Sequence, residues 1–381
     1  MYSTLEQPLE TNTHLSNPEP VYVTKTALPS KERYIAMLDE IWASQRVTNG
    51  GPLCQQLETR LSNRFSTPTQ VVANGTLAIQ IALRALDLQG SVLTTPFSYV
   101  ATTNALLWER LQPIFVDVED RWLTIDPELI ENAIRPDTTA ILATHVYGYP
   151  CDVEALERIA AKHKLRLIYD AAHAFGVTLG GRSLMAYGDI STLSFHATKV
   201  FHTFEGGGIS CRDTETGNLL HLLRTFGHEG QDYRCMGVNA KMSELHAAAG
   251  LLNLDTVDAL IEMRSRISAH YRQLLATTPL RIPDPADIPN FTHNHAYFPV
   301  FCRSHGEREA LVAALEEQGI FPRRYFDPSL NELPFLDSDV QVSCPVSERA
   351  SRTVMCLPLY PELPVSEASR IAETVLNFYD G

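Results

Sequence analysis

From residue 70 to residue 211 short apolar runs alternate with segments of helical periodicity, and this alternation limits the possible folds more than any other feature of the chain. The runs are QVVA, SVLTT, PIFVDV, TTAILATHV and LRLIYD, and helices are expected from Thr76, Tyr99, Pro127 and Val153 between them. Strands separated by helices in this way build an α/β fold, a mostly parallel sheet covered by helices. In such a sheet ligands gather at the carboxyl ends of the strands, where the loops carry polar groups. Upstream, residues 31–65 hold two helical patterns, the second with Leu53, Leu57, Leu61 and Phe65 at i, i+4 spacing. The turn between them, Thr48-Asn49-Gly50-Gly51-Pro52, reads either as a linker or as backbone that closes over a ligand. Downstream come a helical segment to Phe226, the polar stretch GHEGQDYRCMGVNAKMSE, which reads as a mobile loop, and a long helix from about Ser243 toward Leu275. The remainder holds strand-like AYFPVFC, an amphipathic helix over residues 307–318, the basic turn FPRRYF, and helices near Val346 and Ser366.

A chain of 381 residues suits two domains. We expect a large α/β domain over residues 22–254, a smaller C-terminal α+β domain over 255–381, and a loose polar arm over 1–21. The formal net charge of -14 is spread along the sequence, which works against binding nucleic acid or anionic membrane. An anionic ligand must then be held by a local cluster. The 7 cysteines form no C-x-x-C pair and no metal-ligand spacing, so they read as reduced thiols of a cytoplasmic protein without a metal site. No apolar run is long enough to cross a bilayer, and no charged-then-apolar leader is read at the N-terminus.

Lys199 lies in STLSFHATKVFHTFEGGGISC, between two strand-like runs, with Ala197, Val200 and Phe201 around it. An apolar setting lowers an ammonium pKa and frees the amine as a nucleophile, although a lysine taken alone is more often a solvated one. The glycines Gly206, Gly207 and Gly208 let the backbone approach something flat or bulky. Three strand ends carry further candidates. Ala73-Asn74-Gly75-Thr76 reads either as a helix start that binds phosphate or as a turn with a threonine cap. Thr95-Pro96-Phe97-Ser98-Tyr99 offers rings that lie on a planar ligand or, more commonly, in the core. In Tyr169-Asp170-Ala171-Ala172-His173 a carboxylate ends a buried strand, where it either caps the next turn or meets a cation such as a protonated pyridine.

Together these loops supply what pyridoxal phosphate needs: a phosphate site, an aromatic face, an acidic partner for the ring nitrogen, and a Schiff-base lysine near Ser194 and Thr198. At these residues, TNGGP, ANGT, DAAHAFG, SFHATKVFHTFEGGG and GVNAKMSE, the sequence resembles the DegT/DnrJ/EryC1/StrS family of fold type I sugar aminotransferases, over nearly its whole length. The resemblance implies that Lys199 is the lysine that holds the cofactor and Asp170 its ring-nitrogen partner. It implies that Tyr99 stacks on the pyridine, that His173 lies near the cofactor hydroxyl, and that Gly75, Thr76 and Ser194 bind phosphate. It also implies that Asn239 reaches the phosphate of a neighbouring subunit, hence a homodimer with shared active sites. Asn74 stands where many members have serine, so that hydroxyl contact is missing here. Lys199 stands where dehydratase members have histidine, which favours transamination.

Within the family, SFHATKVFHTFEGGG and RRYFDPSLNELPFL look most similar to aminotransferases acting at C4 of a dTDP-linked 4-keto-6-deoxyglucose, with glutamate as donor, in the making of surface polysaccharides. Amination at C3, or a cofactor-binding dehydratase-like or regulatory protein, are the alternatives. Arg323, Arg324 and Tyr325 are the candidates for holding the substrate's diphosphate, since arginine suits charge-assisted bonds to phosphate; a solvated turn is the other reading of the same residues. A P-loop phosphotransferase is disfavoured because no G-x-x-x-x-G-K-[ST] occurs.

Overall fold

The computed structural model describes residues 19–338 and 340–380. Seven strands form the central sheet in the order Thr69–Val72, Gly207–Cys211, Ile190–Ser194, Arg166–Asp170, Thr138–Thr144, Ser91–Thr94 and Gln112–Phe115. Gly207–Cys211 is antiparallel to both its neighbours, and every other pair in the sheet is parallel. Successive residues of a strand face opposite sides, so Leu142 and Ile168 join one apolar layer with Ile79 and Leu106, while Ile141 and Leu167 join another with Ile130 and Leu156. The first layer is made by helices Gly75–Ala85 and Val100–Trp108 and the second by Pro127–Ala133 and Val153–His163. Being covered on both faces is what allows these strands to be continuously apolar.

The glycine run has a different use from the one expected of it. A Cβ on Gly207 would stand 2.6 Å from the backbone of Asn74, and one on Gly208 would stand 2.8 Å from the Phe195 ring. The bulky neighbours are the protein's own: the run lets the antiparallel strand pass under the start of helix Gly75–Ala85.

The helix Glu244–Leu275, 32 residues and roughly 48 Å at 1.5 Å per residue, passes through two cores. Ala247, Leu251 and Val257 pack in the larger, whereas Ile267, Tyr271 and Leu275 pack in the smaller with helices His305–Glu317 and Val365–Asp380. Around the smaller core strand Phe298–Phe301 pairs antiparallel with Val354–Leu357, and Val21–Tyr22 pairs parallel with Ile320–Phe321. Residues 1–18 of the expected loose arm lie outside the described residues. Its last residue departs from that expectation: Val21 is a strand residue, 8% exposed, because its side chain completes the smaller core. The polar stretch after Phe226, expected as a loop, contains an antiparallel hairpin, His228–Glu229 against Asp232–Tyr233, with the His228 and Tyr233 rings 4.4 Å apart.

The turn at residues 49–51 acquires a partner that neither reading of it named. The carboxylate of Glu244, itself buried, accepts from the backbone N–H of Leu53 at 2.8 Å and of Cys54 at 3.0 Å, and so caps helix Pro52–Phe65. Gly51 is required by this approach, since a Cβ there would meet the Glu244 carboxyl carbon at 2.6 Å. Removing the carboxylate strands two buried donors and an uncapped helix start. Glu244→Ala is therefore expected to cost about 3 kcal/mol, read as a lower denaturation midpoint; a midpoint within the error of wild type would show that water replaces the cap without loss.

Candidate active site

The strands Thr69–Val72, Arg166–Asp170 and Ile190–Ser194 and the loop after Ser91–Thr94 end around one cavity of about 390 Å³. Gly75, Thr76, Tyr99, Asp170, His173, Ser194, Lys199, Arg323 and Tyr325 all line it, so nine of the residues singled out from the sequence meet here although they are spread over some 250 positions. Asn239 and Arg324 are not among its walls.

At the helix start, the cap is Asn74 rather than a threonine: its Oδ1 accepts from the N–H of Leu77 at 2.9 Å. Thr76 is exposed and its hydroxyl is left free of capping duty. The N–H groups of Gly75 and Thr76 precede the first helical hydrogen bond and carry the positive end of the helix dipole. A Cβ on Gly75 would stand 2.8 Å from that of Ser194, so the missing side chain is what brings the helix start and the Ser194 hydroxyl to one place.

Of the two purposes read from the sequence for Asp170, the structure shows the cap. Its Oδ1 accepts from the N–H of Ala172 at 3.0 Å, which caps the turn, and its Oδ2 accepts from the Thr102 hydroxyl at 2.7 Å. Since Thr102 gives its proton to the carboxylate, Ser98 must donate to Thr102, and Thr144 donates in turn to Ser98. No ion pair to Asp170 occurs among the described residues. Burial raises its pKa, against the lowering effects of Thr102, Ala172 and Lys199.

Lys199 sits on the turn after Ile190–Ser194, with its N–H bonded to the carbonyl of His196 and its Nζ 3.4 Å from the Tyr297 hydroxyl. Desolvation lowers its pKa from the ordinary lysine value, while Asp170, Tyr325 and Tyr99 act the other way. The buried amine and the buried carboxylate thus shift each other toward charge. His173 accepts from the N–H of Tyr147 through Nδ1 at 3.2 Å, and burial keeps the ring neutral, so Nε2 carries the proton and is the ring's donor. Phe326 stacks on it at 5.6 Å. Asn294, fully buried, fixes this region: its Nδ2 donates to the carbonyls of His173 and Phe175, and its Oδ1 accepts from the N–H of Ala296, next to Tyr297.

The aromatic loop divides: Phe97 is core, and Tyr99 is 58% exposed at the cavity. Arg324 departs from expectation. It forms a two-pronged ion pair with Glu309, at 3.0 and 2.7 Å, which holds that carboxyl down to about 2, so its charge is already matched. Arg323 is exposed and has no ion pair among the described residues. Asn239 is exposed, accepts from Lys241 Nζ at 2.6 Å, and does not line the cavity. Thr102 and Tyr297 were missed. Thr102 had a signal, Ser98 and Thr102 four residues apart where a buried strand end runs into a helix; Tyr297, inside AYFPVFC, had none.

The sequence model of the DegT/DnrJ/EryC1/StrS aminotransferase family matches residues 29–376. The chain is 40% identical over 365 residues to the dTDP-4-amino-4,6-dideoxy-D-glucose transaminase of Shigella dysenteriae, covering 94% of this chain and 98% of that one. It is 36% identical to the transaminase of the same description from Escherichia coli, covering 95% and 99%. Among solved structures, DesI, crystallised in the presence of its TDP-sugar product, superposes with a TM-score of 0.89 at 31% identity, covering 94% of this chain and 92% of that one.

The coupling of amine and carboxylate has a direct test in cofactor-free protein. Asp170→Asn removes the charge that favours the ammonium, so the pH midpoint for acylation of Lys199, followed by mass spectrometry, is expected to move lower. An unmoved midpoint would mean that the two groups do not sense each other.

Proposed function

This chain belongs to the DegT/DnrJ/EryC1/StrS aminotransferase family, and from that premise we propose that it transfers an amino group from glutamate to a dTDP-linked 4-keto-6-deoxyglucose, giving dTDP-4-amino-4,6-dideoxyglucose. The observation that carries the reading is the meeting, in one cavity, of a desolvated lysine amine, a buried carboxylate without a cation, and a helix start brought against a serine. The choice of sugar is supported by the two transaminase relatives, which match this chain over more than nine-tenths of their length.

These residues fit pyridoxal 5′-phosphate. The N–H groups of Gly75 and Thr76 and the hydroxyls of Thr76 and Ser194 form an anion site at a helix N-terminus, the ring of Tyr99 offers a flat apolar face, and Asp170 lacks the cation that a pyridinium provides. When bound, the cofactor supplies a cationic ring that draws in the electron pair of a breaking C–H bond. Asp170 keeps a proton on the ring nitrogen, and Thr102, at the end of its directed chain of hydroxyls, holds the carboxylate in place. His173 presents Nε2–H to an acceptor. Lys199 would hold the cofactor, and its amine is the group placed to take and return the proton of the reacting carbon; a depressed pKa gives it a neutral form for that work. Arg323 and Tyr325 stand on the substrate side.

The working unit in this reading is a homodimer in the cytoplasm, serving the synthesis of a surface polysaccharide such as O-antigen. Its support is that Asn239 is exposed and lies outside the lining of its own chain's cavity, and that all 7 cysteines are free. No described helix is long and apolar enough to cross a membrane.

The test is product mass from purified enzyme, glutamate and dTDP-4-keto-6-deoxyglucose, with the UDP- and GDP-linked keto-sugars and a 3-keto-sugar alongside. We expect the amino-sugar from the dTDP 4-keto substrate, and a rate roughly 10⁴-fold or more lower in Lys199→Ala. Turnover of free keto acids alone would sink the reading. For the dimer, mixing Lys199→Ala with Asn239→Ala subunits is expected to restore some activity in verified heterodimers, and none would be restored if each site were built by one chain.

A further inference from the structure

Beside the cavity that holds Lys199 lies a second one of about 910 Å³, and Ser98, Tyr99, Arg323, Tyr325 and Phe326 line both. One wall of the second is the parallel strand pair Val21–Tyr22 and Ile320–Phe321, whose register sets Tyr22 directly beside Phe321. Strand alternation sends Val21 and Ile320 inward, 8% and 0% exposed, and turns Tyr22 and Phe321 outward. The two rings stack, with centroids 5.3 Å apart and planes at 25°, and Tyr22 remains 58% exposed. The result is a flat aromatic ledge inside a cavity, built on two short strands of the smaller core.

Beyond Phe321 the chain makes a single bridge, Arg323 with Cys356, and then turns, the N–H of Tyr325 bonding to the carbonyl of Arg323 at 3.0 Å. Phe321 lines only the outer cavity, whereas Arg323 and Tyr325 line both, and Tyr325 acts on the Lys199 amine electrostatically. The intervening side chains are otherwise engaged: Pro322 is buried and Arg324 is held by Glu309. A ligand reaching out from the lysine therefore meets the Tyr325 ring and the Arg323 guanidinium, which line both cavities, and then the ledge, which lines the outer one alone. Among the described residues lining the outer cavity, Arg323 is the cation without an ion pair: Arg324 also lines it but is held by Glu309. Of the acidic residues there, Asp327 is paired with Arg308 at 2.8 Å. A sugar joined through a diphosphate to a planar base has its parts in this order.

Resting on the reading of the substrate as a nucleotide-linked sugar, the geometry points to Tyr22 and Phe321 as the nucleobase subsite, with Arg323 as the diphosphate contact. The base stacks on the outer face of Tyr22, the diphosphate spans Arg323, and the sugar reaches Lys199. Base–aromatic stacking is sequence-tolerant because every base has a π-face, so the ledge gives affinity for nucleoside diphosphates as a class.

Calorimetric titration of the cofactor-loaded enzyme with dTDP, UDP, GDP and inorganic pyrophosphate tests this. Tyr22→Ala is expected to weaken all three nucleotides by about tenfold to a hundredfold and leave pyrophosphate as in wild type. Tyr22→Phe keeps the ring and is expected to bind the nucleotides as wild type does, while Arg323→Ala weakens nucleotides and pyrophosphate alike. The subsite is overturned if Tyr22→Ala binds nucleotides normally, or if it loses pyrophosphate in the same proportion, which marks general damage. A wild type that binds no nucleoside diphosphate and does not turn over the dTDP keto-sugar sinks the substrate reading, and the ledge with it; normal nucleotide binding by Tyr22→Ala in an enzyme that does turn it over sinks the ledge alone.

Discussion

A carboxylate taken out of water with no ion pair among the described residues is the costly element of this structure, and much of the site is arranged around it. Asp170 ends a strand in the middle of the sheet, where desolvation disfavours its charge. The protein offsets this with one backbone N–H, one threonine hydroxyl fed by two more hydroxyls, and a lysine amine that senses the carboxylate through space. A fold without any use for the charge would do as well with an apolar side chain there. The same desolvation acts oppositely on Lys199, which it pushes toward the neutral amine. One environment therefore prepares an acid and a base in opposite senses.

The parts of this arrangement that follow from chain direction were legible in the sequence. Alternating apolar runs and helical segments imply strands that end on one side, and polar residues at those ends converge whatever the loops do in detail. This is why Gly75, Tyr99, Asp170, Ser194 and Lys199 were found as candidates before any coordinates. The parts that depend on the far side of a contact were not legible. Tyr297 reads as one more aromatic in a buried strand, and only the fold brings its hydroxyl to an amine 98 positions earlier. Arg323 and Arg324 are identical as letters, yet the fold gives one to the cavity and the other to Glu309. Gly51 and the run Gly206 to Gly208 advertise close approach without saying to what, and in each case the partner is the protein itself.

Segments far apart in the sequence are tied together around the cavity. Asn294 holds the turn carrying His173 with one end of its amide and the strand leading to Tyr297 with the other. The Tyr147 hydroxyl donates to the carbonyl of Tyr325, which ties the substrate-side turn back to the loop that orients His173. Segments around residues 294–297 and 325 are therefore positioned by loops from the first half of the chain, with which they pack in the larger core.

Several closures in the N-terminal third depend on residues made much later. The cap of the helix that begins at Pro52 is supplied by Glu244, and the strand partner of Val21 is Ile320. On a ribosome adding about 5–20 residues per second, the roughly 300 residues between Val21 and its partner take on the order of 15–60 s to appear. The helix end stays open until Glu244 emerges and the strand stays unpaired until Ile320 does, so the N-terminal segment reaches its final contacts only as translation nears its finish.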